Sequence, residues 1–99
     1  VLLRAVEPRD GLDLMRHRRG DVLDRLLCSG PGRLCQAFGI DGSFNTTSLH
    51  DGPAELVAGP APQDVLVGPR IGISVSIEAP LRFGIDSPHL SRPFPRTAA

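Results

Sequence analysis

The sequence predicts an α+β chain, a mainly antiparallel β-sheet roll with two or three short packed helices. Three observations carry this. The chain opens Val1-Leu2-Leu3-Arg4-Ala5-Val6, an apolar strand with one arginine. Residues 31–38, bounded by Pro31 and Gly39, have the start, stop and apolar face of a short helix. Later, Leu81, Phe83 and Ile85 alternate with Arg82, Gly84 and Asp86, the period of a half-buried strand. No internal repeat or heptad pattern competes with this reading. A strand that starts without a polar lead-in suggests an incomplete domain, cut from a larger fold.

Taken in order, residues 1–7 form a strand that Pro8 closes. Asp10 is the expected N-cap of a short helix in which Leu12 and Met15 fall at i and i+3. The run Arg16-His17-Arg18-Arg19 ends that helix as a solvated basic terminus, where cations complement the dipole, and Gly20 stops it. Asp21 then caps a second amphipathic turn with Val22, Leu23, Leu26 and Leu27 on one face. Within 31–38, Pro31 takes the first helical position, Leu34, Cys35 and Phe38 form the apolar face, and Gly39 ends the helix before apolar Ile40. Residues 43–51 are turn-rich, with one helical turn capped near Asn45 or Thr46. A strand is expected at 55–58 and a loop at 59–63. Residues 65–77 are β-rich, with Pro69 and Gly72 marking an edge or a bulge. From Ser87 prolines punctuate the chain, and 96–99 is a loose end.

Bulk properties narrow the function. At 99 residues the core is modest. Eleven basic residues, all arginine, balance eleven acidic ones, so the chain lacks the basic excess of a self-sufficient nucleic-acid binder. With four Phe and no Tyr or Trp, it also lacks a base-stacking platform of its own. Cys28 and Cys35 are too few for a secreted disulfide framework and have no matching His or Cys cluster for zinc. They read as reduced core residues of a cytosolic protein. No apolar run approaches membrane-helix length.

Three places could carry chemistry. At Ser29-Gly30-Pro31-Gly32-Arg33, the N–H groups of Gly32, Arg33 and Leu34 lack intrahelical partners, the glycines admit close approach, and Arg33 adds a charge. Either a phosphate binds there or the helix is merely capped beside a surface arginine. Strand alternation puts Arg4 on the face of Leu2 and Val6. Its guanidinium must snorkel or meet a carboxylate, with Glu7, Glu55 and Glu78 as candidates. In Pro69-Arg70-Ile71-Gly72-Ile73, the proline and glycine either expose backbone carbonyls to a cavity or mark a simple bulge. His17, His50 and His89 are scattered and form no metal or nucleophile constellation, and no triad surrounds Ser29, Ser43, Ser48 or Cys28.

Four blocks in this order, VLLRAVEP at 1–8, LCSGPGRLCQAFGI at 27–40, RIGI at 70–73 and PLRFGIDSPHLS at 80–91, resemble the carboxy-terminal half of the alkylpurine (3-methyladenine) DNA glycosylases. The pattern Leu-Cys-x-Gly-Pro-x-(Lys/Arg)-Leu-Cys-Gln is the strongest match. The resemblance implies base-excision repair, in which a damaged purine is flipped from the duplex and its N-glycosidic bond hydrolysed. It implies that Arg4 and the Ile71 carbonyl help hold the attacking water, and that Arg33, with Ser29, Gly30, Pro31 and Gly32, anchors a DNA phosphate. Gly42 falls where some relatives carry a second basic residue, beside Ser43 in the same backbone-contacting stretch. No metal or organic cofactor is implied.

The family's Glu-x-Glu-Ala-Tyr motif, whose second Glu activates the water, has no counterpart in the chain, nor do its base-stacking aromatics. The expectation is therefore that residues 1–99 are the C-terminal half of one glycosylase domain, inactive alone. The expected partners are double-stranded DNA containing damaged purines and the missing N-terminal half, with no membrane. The intact protein would be a monomer in the bacterial cytoplasm, associated with the nucleoid. The alternative is a catalytically silent DNA- or protein-binding module derived from that fold.

Overall fold

The computed structural model describes residues 1–76 and 78–94. The chain is α+β: two α-helices, two 3₁₀ turns and one two-stranded antiparallel sheet among the described residues. It divides into two compact units. The first is Val1–Gly59 with His89–Ser91; the second is Pro60–Pro88 with the described residues from Arg92 onward.

The first unit contains the core. Helix α1, Leu12–Arg19, starts behind Gly11 rather than at a side-chain cap on Asp10. Gly11 takes a left-handed conformation (φ 75°) that an aspartate reaches only at a cost, and its carbonyl accepts the Met15 N–H at 3.0 Å. Gly20 (φ 90°) stops α1 as expected, donating its N–H to the Arg16 carbonyl at 2.7 Å. The following turn is a 3₁₀ segment, Asp24–Leu26, entered from Leu23, so Asp21 is not its cap. Of its apolar residues, Leu27 is fully buried and Leu23 faces solvent.

Helix α2, Pro31–Phe38, has the expected bounds. Pro31 needs no N–H partner there, and Gly39 (φ 68°) ends the helix. The Gly39 N–H donates to the Gln36 carbonyl (3.2 Å) and the Ile40 N–H to the Cys35 carbonyl (2.8 Å), the paired bonds of a Schellman ending. Its buried face is Leu34 and Ala37, with Cys35 half-buried and Phe38 more exposed than the spacing implied. Met15, Leu27, Cys28, Leu34 and Ala37 form the core, with Val6, Leu12, Val22 and Ile40 packed around it.

A Cβ at Gly39 would approach the Arg18 guanidinium carbon to 3.0 Å, in a backbone region that disfavours L side chains. Gly39→Ala is therefore expected to cost about 1–2 kcal/mol of stability in a denaturant melt. An unchanged midpoint would contradict this account of the α2 ending.

The remaining elements are shorter than the sequence suggested. Residues 1–7 make one isolated bridge, Ala5 to Ser29, reinforced by the Val6 N–H to the Cys28 carbonyl at 3.3 Å. The turn after α2 is a 3₁₀ segment, Gly42–Phe44, capped by Asp41 rather than by Asn45 or Thr46. No strand forms at 55–58, where the Leu56 N–H only meets the Leu49 carbonyl; without a neighbouring strand the β-prone residues have nothing to pair with.

In the second unit, β1 (Leu66–Gly68) pairs antiparallel with β2 (Arg82–Gly84), in register Leu66–Gly84, Val67–Phe83 and Gly68–Arg82. This is all that forms of the β-rich stretch, whose residue Ile77 lies outside the described residues, as does the expected loose end at 96–99. The alternation in β2 is inverted relative to expectation. Phe83 is 65% exposed and Leu81 54%, whereas Arg82 and Gly84 are covered. Phe94 takes the opposite face: Arg82 stacks on its ring 4.0 Å from the centroid and donates to the Arg92 carbonyl, and a Cβ at Gly84 would sit 2.9 Å from that ring.

Candidate functional site

The bridge between Ala5 and Ser29 sets the first unit's candidate site, because it places the strand segment carrying Arg4 beside the turn that opens α2. Arg4 is half-buried, and among the described residues it takes no carboxylate partner, neither Glu7 nor Glu55 nor Glu78. Its position one residue before the bridge is fixed by backbone pairing, not by an ion pair. Among the described residues this guanidinium has no hydrogen-bond acceptor or ion-pair partner.

At the α2 entrance, Ser29 is only 1% exposed and Gly30 (φ 128°) occupies the N-cap position without a capping side chain. The Leu34 N–H is not free, as the sequence implied, since it donates to the Gly30 carbonyl at 2.8 Å. That leaves the Gly32 and Arg33 N–H groups at the positive end of the helix dipole. Arg33 folds back over this turn: its Nη1 donates to the Ser29 hydroxyl at 3.0 Å and more weakly to the Ser29 carbonyl at 3.4 Å. A guanidinium and unsatisfied amides thus share one exposed corner, the donor set that an anion needs.

Gly42 and Ser43 lie in the next turn, after the C-terminal end of α2. There the Asp41 carboxylate accepts from both the Ser43 N–H (2.9 Å) and the Ser43 hydroxyl (2.5 Å). These donations hold the Asp41 carboxyl below the usual carboxylate range. Ser43 therefore spends its donors on a carboxylate within its own turn. Ile71 lies in the second unit, half-buried and directly before Gly72 (φ 69°), the unusual backbone that the sequence pointed to. Beside it, Arg70 donates to the Val75 carbonyl at 3.3 Å, bridging its own loop. Arg4 and Ile71 belong to different units.

The basic run of α1 differs from the solvated terminus the sequence implied. Arg16 pairs with Asp13 (2.9 Å) and Asp24 (2.5 Å). Arg18 donates to the Ala37 carbonyl at 3.0 Å, satisfying the C-terminal end of α2, while Gln36 returns a bond to the Arg18 carbonyl at 3.1 Å. Arg19 reaches the carbonyls of Leu26 and Leu27 and the Gln36 side chain. Sequence spacing located the arginines at a helix end, but their acceptors lie up to 19 residues away, and no local pattern reveals them.

Both cysteines are free thiols: Cys28 is fully buried and Cys35 half-buried. Burial pushes the Cys28 thiol up, opposed by the Arg19 charge, and its Sγ lies 4.0 Å from Met15 Sδ. Cys28 is a core residue. Among the described residues no helix is long and apolar enough to cross a membrane.

A family model described as methylpurine-DNA glycosylase (MPG) matches residues 1–89. A protein of Nitrosospira multiformis, provisionally named 3-methyladenine DNA glycosylase, is 53% identical over 95 residues, which cover 95% of this chain and 49% of that protein. Relatives with the same provisional name from Rhodopseudomonas palustris and Rhizobium etli are 47% and 48% identical, each over 95% of this chain and 48% and 47% of their own lengths. The chain spans about half the length of the curated relatives it matches. Since the family match spans residues 1–89, which take in the opening segment, both helices and the hairpin, the chain belongs to the methylpurine-DNA glycosylase family.

Proposed function

We propose that residues 1–99 are the C-terminal half of a single glycosylase domain whose intact form is a monomeric, monofunctional base-excision enzyme. The observation that carries this is the family match over 1–89 in a chain half as long as its relatives. Its substrate is double-stranded DNA, and its reaction is hydrolysis of the N-glycosidic bond of a flipped alkylated or deaminated purine. The water-activating carboxylate and the base-stacking rings belong to the other half.

Two apolar surfaces support a missing partner of the same fold. In the first unit an open groove of about 430 Å³ is lined by Leu3, Val6, Leu34, Phe38, Leu49 and Leu56, among others. In the second unit Leu81, Phe83 and Ile85 turn outward together. Contiguous exposed apolar surface of this kind normally meets another protein element.

Within this reading Arg4 and the Ile71 carbonyl orient the attacking water. Arg33 and the Gly32 and Arg33 amides hold a backbone phosphate, on a turn shaped by Ser29, Gly30 and Pro31. In the Gly42–Ser43 stretch the DNA contact falls to the Gly42 backbone, because Asp41 already occupies both the N–H and the hydroxyl of Ser43.

The phosphate contact is tested by Arg33→Ala in the intact polypeptide. Duplex affinity is expected to fall about tenfold, and the slope of log affinity against log salt to shrink by about one. An unchanged slope removes Arg33 from the interface. Lesion-dependent base release separates the enzyme from a catalytically silent DNA- or protein-binding module.

A further inference from the structure

We infer that Arg19, the last residue of α1, is a positioning residue for the Arg33 phosphate contact, an inference that rests on the proposed role of Arg33. One guanidinium ties together the segment that leads into α2 and α2 itself. Its Nε donates to the Leu27 carbonyl and Nη2 to the Leu26 carbonyl, each at 3.2 Å, while Nη1 donates to Gln36 Oε1, also at 3.2 Å. Leu26 and Leu27 immediately precede Cys28 and Ser29, and Ser29 is the residue on which the Arg33 guanidinium rests. Gln36 lies one helical turn beyond Arg33 on α2. Arg19 therefore grips the Arg33 turn from both ends.

Beside this clamp, the segment is held by the Ala5–Ser29 bridge, the Val6–Cys28 backbone bond, the bonds of the Leu26 and Leu27 N–H groups to the Leu23 and Asp24 carbonyls, the Arg33–Ser29 contact and the buried Leu27, Cys28 and Ser29 side chains. What Arg19 adds to them is a direct link from the Leu26 and Leu27 carbonyls to the Gln36 side chain on α2, which fixes their register beyond the Arg33–Ser29 contact. Register matters at Arg33, because a guanidinium and two amides must converge on one phosphate, and hydrogen bonds weaken steeply with distance and angle. Three of the five N–H donors of Arg19 go to protein acceptors, so its contribution comes through the planar fork rather than through charge offered to DNA. A lysine keeps the charge but cannot reproduce three divergent, fixed donors.

The test is a double-mutant cycle in the intact polypeptide, with affinity for a labelled duplex carrying a tetrahydrofuran abasic analogue measured over a salt series. Measurements are made where each variant's melt shows it folded. Arg33→Ala is expected to weaken binding about tenfold and to lower the salt slope by about one. Arg19→Ala and Arg19→Lys should each reproduce most of that loss and part of the slope change. The Arg19→Ala/Arg33→Ala double variant should bind no worse than Arg33→Ala alone. If Arg19→Ala simply unfolds, Arg19→Lys carries the same comparison. Full binding by Arg19→Lys would overturn the inference, since charge would then suffice. So would an Arg19 effect that adds fully to that of Arg33, or Arg19 variants that bind like wild type while Arg33→Ala binds weakly. Wild-type binding by Arg33→Ala removes the anchor itself, and the inference with it.

Discussion

Replacing Arg4 with alanine in the intact polypeptide is expected to slow single-turnover release of a damaged purine by at least about a hundredfold. Duplex affinity should stay close to wild type. The expectation follows from where Arg4 sits and what it lacks. The Ala5–Ser29 bridge fixes its backbone next to the turn that opens α2, and no carboxylate among the described residues consumes its donors. A half-buried guanidinium with no partner among the described residues is costly unless something else, such as a bound water or substrate oxygen, completes it. On the proposed roles, loss of that donor removes orientation of the reacting water and leaves the Arg33 phosphate contact in place, so rate and affinity are expected to separate. Near wild-type excision by Arg4→Ala would sink the role assigned to it. A parallel fall in affinity would instead make Arg4 part of the binding surface.

Leu27→Ala is expected to destabilise the fold by about 2–5 kcal/mol. Leu27 is completely buried among Met15, Cys28, Leu34 and Ala37. Its carbonyl is held by Arg19, and the next residues bridge to the opening segment, so the backbone has little freedom to collapse into the void. Domains of this kind have about 5–15 kcal/mol of total stability, so the loss is a large fraction of the whole. Denaturant melts of the intact polypeptide measure it directly. A loss below about 1 kcal/mol would place the centre of the core elsewhere. Because Leu27 lies two residues before Ser29, the same variant should lose duplex binding as the temperature rises, while its folded fraction binds normally in the cold.

The parts of this structure that were legible in sequence are those whose determinants are local. Helix α2 has its expected bounds because Pro31 and Gly39 act on their own backbone: one needs no N–H partner and the other takes a positive φ. Met15 and Leu12 were legible for the same reason, as a simple i, i+3 pair. The start of α1 was misplaced from Asp10 because a left-handed Gly11 supplies the turn that a side-chain cap would otherwise provide.

What was not legible depends on distant partners. A strand at 55–58 requires a neighbour that local alternation cannot supply. The face of β2 that is covered is decided by Phe94, ten residues beyond Gly84, which packs over Arg82 and the two hairpin glycines and turns Phe83 outward. The arginines at the end of α1 looked like a solvated terminus because their acceptors, at Leu26, Leu27, Gln36 and Ala37, belong to other elements. In the candidate site, Arg4 stood out in sequence as the one arginine in an apolar opening segment. That none of the described carboxylates pairs with it is visible only once the fold places them.

The most direct test of the central claim is release of free base, by the intact polypeptide, from duplexes carrying a 3-methylated or 7-methylated purine or hypoxanthine, with undamaged duplex as the control. The account predicts single-turnover release of the damaged base, an abasic duplex as the other product, and no release from undamaged DNA. Specific binding of such duplexes without any release would contradict it, and would make this member of the family a catalytically silent DNA-binding module.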